Sequence, residues 1–197
     1  MGRTFQPFTV GHRFRITPPE GGPSRDSRLD LVMAAGAFGS GEHETTASCL
    51  EILETMPEVQ GARVLDLGSG TGILTIAALK LGAKSALCID IEASAVEACR
   101  ENCKINGVEE RVEHMCGTLD DVGEGSFDLI LANIYGDILL QVAENLVAFA
   151  RPAAPLLLSG MLWEYNFPVR QKYERLGCRI SQNRMLEEFS TLLLHKA

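Results

Sequence analysis

The chain has 197 residues, of which 46% are hydrophobic and 22% charged; this length and composition fit one compact domain and exclude intrinsic disorder. A formal net charge of −8 disfavours a general affinity for nucleic acid phosphates, so we expect no direct nucleic-acid partner. The sequence has no apolar run long enough to cross a bilayer and no secretory signal over residues 1–20, so we expect no membrane association and a cytoplasmic location.

The N-terminal 28 residues are interpreted as an arm and a connector. Several apolar residues between Phe5 and Ile16 give the arm some strand character, but it is too short to form a domain. Residues 17–28 are polar and rich in Pro, Gly and Ser, which predicts an exposed connector. We therefore divide the chain into an arm and connector, 1–28, and a single domain, 29–197.

After residue 60, predicted strands and helices alternate. In chain order they are a strand at 63–67, a helix at 72–81, a strand at 85–90, a helix at 92–106, strands at 111–115 and 127–132, a helix at 138–149, a strand at 155–159, a helix at 164–176, and strands at about 178–184 and 189–195.

This order predicts an α/β fold. The internal strands are continuous apolar runs, which is typical of parallel strands covered by helices on both faces. The last two strands follow each other without a helix, which predicts an antiparallel hairpin. We predict a Rossmann-like, doubly wound, seven-stranded and mostly parallel sheet with a C-terminal antiparallel hairpin.

A glycine-rich loop joins the first strand of this pattern to the first helix. Gly68, Gly70 and Gly72 alternate in it, and Asp66 lies two residues before the first glycine. A dinucleotide fingerprint has the spacing G-x-G-x-x-G instead, which disfavours a nicotinamide-dependent oxidoreductase. S-adenosylmethionine carries an ammonium and a sulfonium, which an acid such as Asp66 would suit. Asp90, at the end of the next strand, could accept hydrogen bonds from both ribose hydroxyls. The alternative is a purely structural turn.

Asn133 follows the strand at 127–132. Ligands of open α/β sheets bind beyond the carboxyl ends of the strands, so we predict Asn133 beside the reacting centre. Its carbonyl oxygen could accept a hydrogen bond from an amine. It could also cap the following helix, and the two roles can coexist.

Six cysteines are present, and none forms a C-x-x-C pair. Cys99 and Cys103 lie four residues apart on a predicted helix, which could place two thiolates on one face. The His and Cys spacing of known metal sites is absent, so we interpret the cysteines as small core residues and predict no metal site.

Four segments resemble the ribosomal protein L11 methyltransferase (PrmA) family: residues 37–46, 66–72, 133–134 and 158–160. The first, Ala-Phe-Gly-Ser-Gly-Glu-His-Glu-Thr-Thr, is the specific one, and the resemblance covers about residues 5–197. It implies S-adenosylmethionine as cofactor and N-methylation of a protein amine, a lysine side chain or an N-terminus, with a ribosomal protein as the expected partner. The sequence assigns no oligomeric state.

The resemblance also implies the positions of site residues. It places at the cofactor Thr46, Gly68, Asp90 and Asn133, with Phe38 and His43 lining the pocket. His43 could alternatively act as a general base or as a hydrogen-bonding structural group. The family usually has Pro at the position of Glu44 and Leu-Ala at the position of 135–136, and it carries an N-terminal substrate-recognition domain where a short arm precedes the catalytic part here.

Two other functions remain open. A methyltransferase for a small molecule would need only a pocket, and a non-catalytic module that binds the cofactor would serve as an interaction subunit. Trp163 and Tyr165, just after the fifth strand, could form an aromatic wall around a substrate amine or could simply pack in the fold.

Overall fold

A computed structural model describes residues 5–34 and 43–197. The N-terminal part forms a small sheet in which an antiparallel hairpin, β1 (Phe8–Val10) and β2 (Phe14–Thr17), is joined in parallel by β3 (Leu29–Val32). Between β2 and β3, most of the predicted connector is exposed, apart from its first two residues. β3 begins directly after the domain boundary predicted at residue 28, and the two-part division of the chain stays a prediction.

The main sheet has seven strands. They are β4 (Arg63–Leu67), β5 (Ser85–Asp90), β6 (Val112–Cys116), β7 (Leu129–Asn133), β8 (Pro155–Leu162), β9 (Cys178–Met185) and β10 (Phe189–Lys196). Their order is β6-β5-β4-β7-β8-β10-β9, parallel from β6 to β8, with β10 antiparallel to both β8 and β9. The predicted α/β fold with its C-terminal hairpin is therefore confirmed. The strand order reverses between β4 and β7, where ligands of such sheets bind.

Helices cover both faces of this sheet. They are α1 (Glu44–Leu53), α2 (Ile73–Lys80), α3 (Ala93–Ile105), α4 (Gly136–Gln141), α5 (Ala143–Phe149) and α6 (Trp163–Arg175). Alternate strand residues feed two separate apolar clusters: Val64 and Leu131 pack with α1, α2 and α3, whereas Leu65 and Ile130 pack with α4, α5 and α6. This alternation is why the strands are continuous apolar runs in the sequence.

Two helical features differ from the sequence prediction. The helix predicted over 138–149 is two helices, because the backbone leaves the α region at Val142, which has φ −90° and ψ 1°. α1 was not predicted, because the segment before it is rich in Gly and Thr and carries no helical apolar pattern. Among the described residues, no helix is both long and apolar enough to span a membrane.

The N-terminal arm is part of the core on the α1 face. Phe14 and Ile16 are fully buried there. The Glu54 carboxylate, just after α1, accepts hydrogen bonds from the backbone N–H groups of His12 and Arg13 in the hairpin turn. The arm is thus held at its tip and along its apolar side.

Candidate functional site

The glycine loop between β4 and α2 is tightly packed. Gly68, Gly70 and Gly72 have φ values of +68°, +53° and +78°, a region that other residues rarely adopt. A Cβ on Gly68 would lie 2.3 Å from Cγ2 of Ile134, and one on Gly72 would lie 2.5 Å from Sγ of Cys99. Glycine is therefore required at Gly68 and Gly72 by backbone conformation and by lack of space together.

Asp90, the last residue of β5, fixes this loop. Its two carboxylate oxygens accept hydrogen bonds from the backbone N–H groups of Gly70, at 2.9 Å, and Glu92, at 3.0 Å. The side chain is half-buried, and each oxygen keeps a lone pair for another donor. Asp90 can therefore hold the loop and a ligand hydroxyl at once.

Ser69, inside the loop, has an unsatisfied hydroxyl. The residue is 8% exposed, and its Oγ has no hydrogen-bond partner among the described residues. Buried polar groups are normally paired, so an orphan at this position indicates a place where a bound molecule could supply the partner.

Asp66 lies beneath the loop in β4. It is 2% exposed, and its carboxylate accepts a hydrogen bond of 2.7 Å from Oγ1 of Thr75 in α2. Burial raises the pKa of Asp66 to about 7, although the hydrogen bond from Thr75 acts in the opposite direction. Because Asp66 faces Thr75 beneath the loop, only the charge of its ionised form could influence a cation in the loop, and its cofactor role stays a prediction.

Asn133 and Thr46 meet at the end of β7. Nδ2 of Asn133 donates to Oγ1 of Thr46 at 3.4 Å. Gly160 of β8 packs against the same point, since a Cβ there would lie 3.0 Å from Oδ1 of Asn133. Asn133 does not cap the next helix, because the N-cap position of α4 is Tyr135; this removes the capping alternative.

His43 caps α1. Its Nδ1 lies 2.8 Å from Oγ1 of Thr45 and accepts the backbone N–H of Thr45 at 3.4 Å, and its ring packs edge-on against Phe189 at 5.0 Å between centroids. These contacts favour the structural reading of His43 over a general base. Phe38, the other predicted pocket residue of this segment, lies outside the described residues.

Glu44 joins α1 to the C-terminal hairpin. Its carboxylate accepts hydrogen bonds from three successive backbone N–H groups, those of Glu187, Glu188 and Phe189. Although partial burial opposes them, these three donors lower the pKa of Glu44. The family usually has Pro at this position, and Pro has no side-chain acceptor for these three N–H groups. The hydrogen bonds therefore give a structural reason for Glu in this chain.

Asn102 of α3 is a site residue that the sequence analysis missed. It is 1% exposed, accepts a hydrogen bond from the backbone N–H of Ala34, and donates one to the carbonyl of Thr71, both at 2.9 Å. It thus ties the glycine loop to the chain just before residues 35–42. The sequence feature that could have identified Asn102 is its position on the apolar stripe of α3, between Cys99 and Cys103.

The two candidate aromatic residues have different surroundings. The Tyr165 ring lies against Gly136, where a Cβ would approach it to 2.4 Å, so Gly136 and Tyr165 fit each other. Trp163 is 51% exposed, and its indole N–H donates to the carbonyl of Leu186 at 3.1 Å. Tyr135, at the start of α4, is 71% exposed. Tyr165 therefore packs, whereas Trp163 and Tyr135 leave aromatic surface available.

Comparison with known proteins decides the family. The family model described as ribosomal protein L11 methyltransferase (PrmA) matches residues 2–197. The chain belongs to this family. A ribosomal protein L11 methyltransferase of Trichlorobacter lovleyi is 41% identical over 177 residues, which cover 86% of this chain and 58% of that protein. One from an Exiguobacterium species is 32% identical over 194 residues, which cover 98% of this chain and 62% of that protein.

A solved structure agrees with this membership. The crystal structure of ribosomal protein L11 methylase from Lactobacillus delbrueckii subsp. bulgaricus matches with a TM-score of 0.88 and 28% identity, covering 99% of this chain and 100% of that one. The present chain spans about three fifths of the length of the two PrmA relatives above. The PrmA fold is therefore common to nearly all of the chain, while the longer relatives contain further sequence.

The packing of the loop predicts a large stability loss for Gly72→Ala. Gly107→Ala is the matched control, because Gly107 has a similar φ of +67° and a Cβ there would meet no atom of the described residues within 4 Å. We expect the control to lose about 1 kcal/mol of unfolding free energy from backbone strain. Gly72→Ala should lose about 1–3 kcal/mol more from the clash with Cys99. Urea unfolding of both variants tests this, and equal losses would contradict it.

The raised pKa of Asp66 predicts a pH-dependent stability. The folded protein keeps a proton on Asp66 up to about pH 7, whereas the unfolded chain releases it near pH 4. The free energy of unfolding should therefore fall as pH rises from about 4 to 7, by up to about 4 kcal/mol relative to Asp66→Asn.

Urea unfolding at a series of pH values measures this difference. Asp137→Asn, an exposed acid at the start of α4, serves as the control and should track the wild type. Parallel curves for the wild type and Asp66→Asn would show that the folded protein holds no extra proton at Asp66.

Proposed function

We propose that the chain is an S-adenosylmethionine-dependent N-methyltransferase that acts on a protein amine. The observation that carries this proposal is the meeting of the glycine loop, Asp90 and Asn133 at the carboxyl edge of the sheet, where the strand order reverses. Gly68 packs directly on Ile134, the residue after Asn133, so the loop and the end of β7 form one surface.

The residues at this surface fit the cofactor. The half-buried carboxylate of Asp90 can accept hydrogen bonds from ribose hydroxyls. The Ser69 hydroxyl, which has no partner in the part of the chain that the structure describes, can take a further polar partner. The left-handed glycines let a ligand approach the loop backbone closely. When bound, S-adenosylmethionine supplies a methyl group on a sulfonium. In this proposal Gly68, Gly70, Gly72, Asp90 and Thr46 hold it, with Asp66, Phe38 and His43 as further pocket residues.

Asn133 positions the acceptor amine. An amine with a reference pKa of about 10.4 must lose its proton, which costs about 4 kcal/mol near neutral pH and becomes easier when the amine is desolvated beside a cation. Nδ2 of Asn133 donates to Thr46, and among the described residues no hydrogen bond is made to Oδ1, so Oδ1 can accept an amine N–H. That contact would aim the nitrogen lone pair at the cofactor.

The proposed substrate is a ribosomal protein. The relatives' names specify ribosomal protein L11, and the site leaves aromatic surface of Trp163 and Tyr135 at the edge where an acceptor would enter. In this reading residues 29–197 form the cofactor domain, the arm packs beneath it, and the protein works in the cytoplasm where ribosomes are.

Cofactor binding tests the first part of the proposal. Calorimetric titration with S-adenosylhomocysteine should show saturable binding, and NAD should show none. Asp90→Asn should weaken that binding by about 10–100-fold, because a hydrogen bond to a charged group contributes about 1.5–3 kcal/mol. Glu92→Gln, an exposed acid two residues away, is the control and should bind normally. Binding of NAD alone would overturn the assignment.

Turnover tests the second part. With methyl-labelled S-adenosylmethionine and ribosomal protein L11, we expect label in the protein, and Asn133→Ala should lower kcat by about 100-fold or more. Asn145→Ala is the control: the side chain of Asn145 donates to exposed Asp120, and its loss should leave kcat unchanged. Label found only in a metabolite extract would indicate a small-molecule substrate, and cofactor binding without transfer to either would indicate a binding module.

A further inference from the structure

A cluster of sulfur and imidazole ligands lies behind the glycine loop. It comes from three elements: Cys88 of β5, Cys99 of α3 and His114 of β6. Cys88 and His114 are register partners on adjacent parallel strands, so their side chains share the face that α3 covers. The two sulfur atoms and a ring nitrogen all lie within 4.8 Å of one another.

We propose that Cys88, Cys99 and His114 bind a soft divalent metal ion, with zinc as the expected ion. Zinc favours thiolate and imidazole ligands in a tetrahedral arrangement. With Zn–S near 2.3 Å and Zn–N near 2.0 Å, tetrahedral ligand atoms are about 3.5–3.8 Å apart, so a contraction of about 1 Å would form the site. A zinc ion with two thiolates and a neutral imidazole has no net charge, which suits a buried position.

His114 is the observation that separates this cluster from ordinary core cysteines. Both of its ring nitrogens are buried, and neither has a hydrogen-bond partner among the described residues. A buried imidazole normally pairs at least one nitrogen, so these atoms are available to a ligand. β6 is one of the two edge strands of the sheet and His114 is half-buried, so the cluster lies near the protein surface.

Cys103 supports the site from one turn along α3. It lies four residues from Cys99 on that helix. Interaction with the neighbouring thiols of Cys103 and Cys88 lowers the pKa of Cys99, and interaction with Cys99 raises the pKa values of Cys88 and Cys103. On binding, the metal displaces any remaining thiol protons of Cys88 and Cys99, since only thiolates ligate. Cys103 then stays protonated and donates to the metal-bound Cys99 sulfur, as an outer partner of the site.

Cobalt titration of the reduced protein tests the site without using activity. Co²⁺ should bind one equivalent per chain, give a thiolate-to-cobalt charge-transfer band with tetrahedral d–d bands, and be displaced by Zn²⁺. Cys103→Ala should weaken binding by about 10–100-fold, and Cys99→Ala or His114→Ala by more. Two controls should bind like the wild type: Cys116→Ser, an exposed cysteine of β6, and Cys49→Ala, a buried cysteine of α1.

A second measurement needs no variant. Zinc X-ray absorption on the wild-type protein should give a first shell of two sulfur atoms and at least one nitrogen. Absence of the cobalt bands, bands that survive Cys99→Ala but vanish in Cys116→Ser, or a zinc shell without sulfur would each overturn the proposal. Because these readouts do not involve the methyl-donor cofactor, their failure is distinguishable from failure of the proposed function.

Discussion

The close packing of the glycine loop on its two neighbours is the constraint on which the site depends. Gly68 meets Ile134 after β7, and Gly72 meets Cys99 in α3, with no room for a Cβ at either contact. The N–H groups of Gly68 and Ser69 both donate to the carbonyl of Ile89 at the end of β5. The loop is therefore fixed to three elements at once, and a ligand would meet a surface that is already formed.

Polar side chains complete this arrangement from both sides. Asp90 holds the middle of the loop through Gly70, and Asn102 holds its end through the carbonyl of Thr71. The second bond of Asn102 goes to Ala34, while Thr46 of α1 bonds to Asn133. The described residues on either side of 35–42 are thus anchored at the loop and at the end of β7. Residues 43–46, the described end of the most family-specific segment, therefore border the site through Thr46.

Local sequence patterns predict the strands of the sheet, but they do not predict the side-chain contacts between distant elements. The strand at 127–132 was recognised because a continuous apolar run is what burial on two faces requires. The break at Val142 was missed because Leu139 and Leu146 stay on one face across it. Asn102 and the grouping of Cys88 with His114 could not be predicted, because those contacts depend on strand register and helix placement rather than on spacing along the chain.

The hydroxyl proton of Thr75 lies between Asp66, beneath the loop, and Cys88 of the sulfur cluster. Its hydroxyl lies 2.7 Å from the Asp66 carboxylate and 3.2 Å from the Cys88 sulfur, and it can donate to only one of them. When Asp66 is ionised, the hydroxyl donates to the carboxylate. When Asp66 is protonated, as its raised pKa favours, it can donate to Thr75, which frees the Thr75 hydroxyl proton for the Cys88 sulfur. A change of charge at Asp66 therefore alters the hydrogen bonding at Cys88, and a change of charge at Cys88 alters that at Asp66.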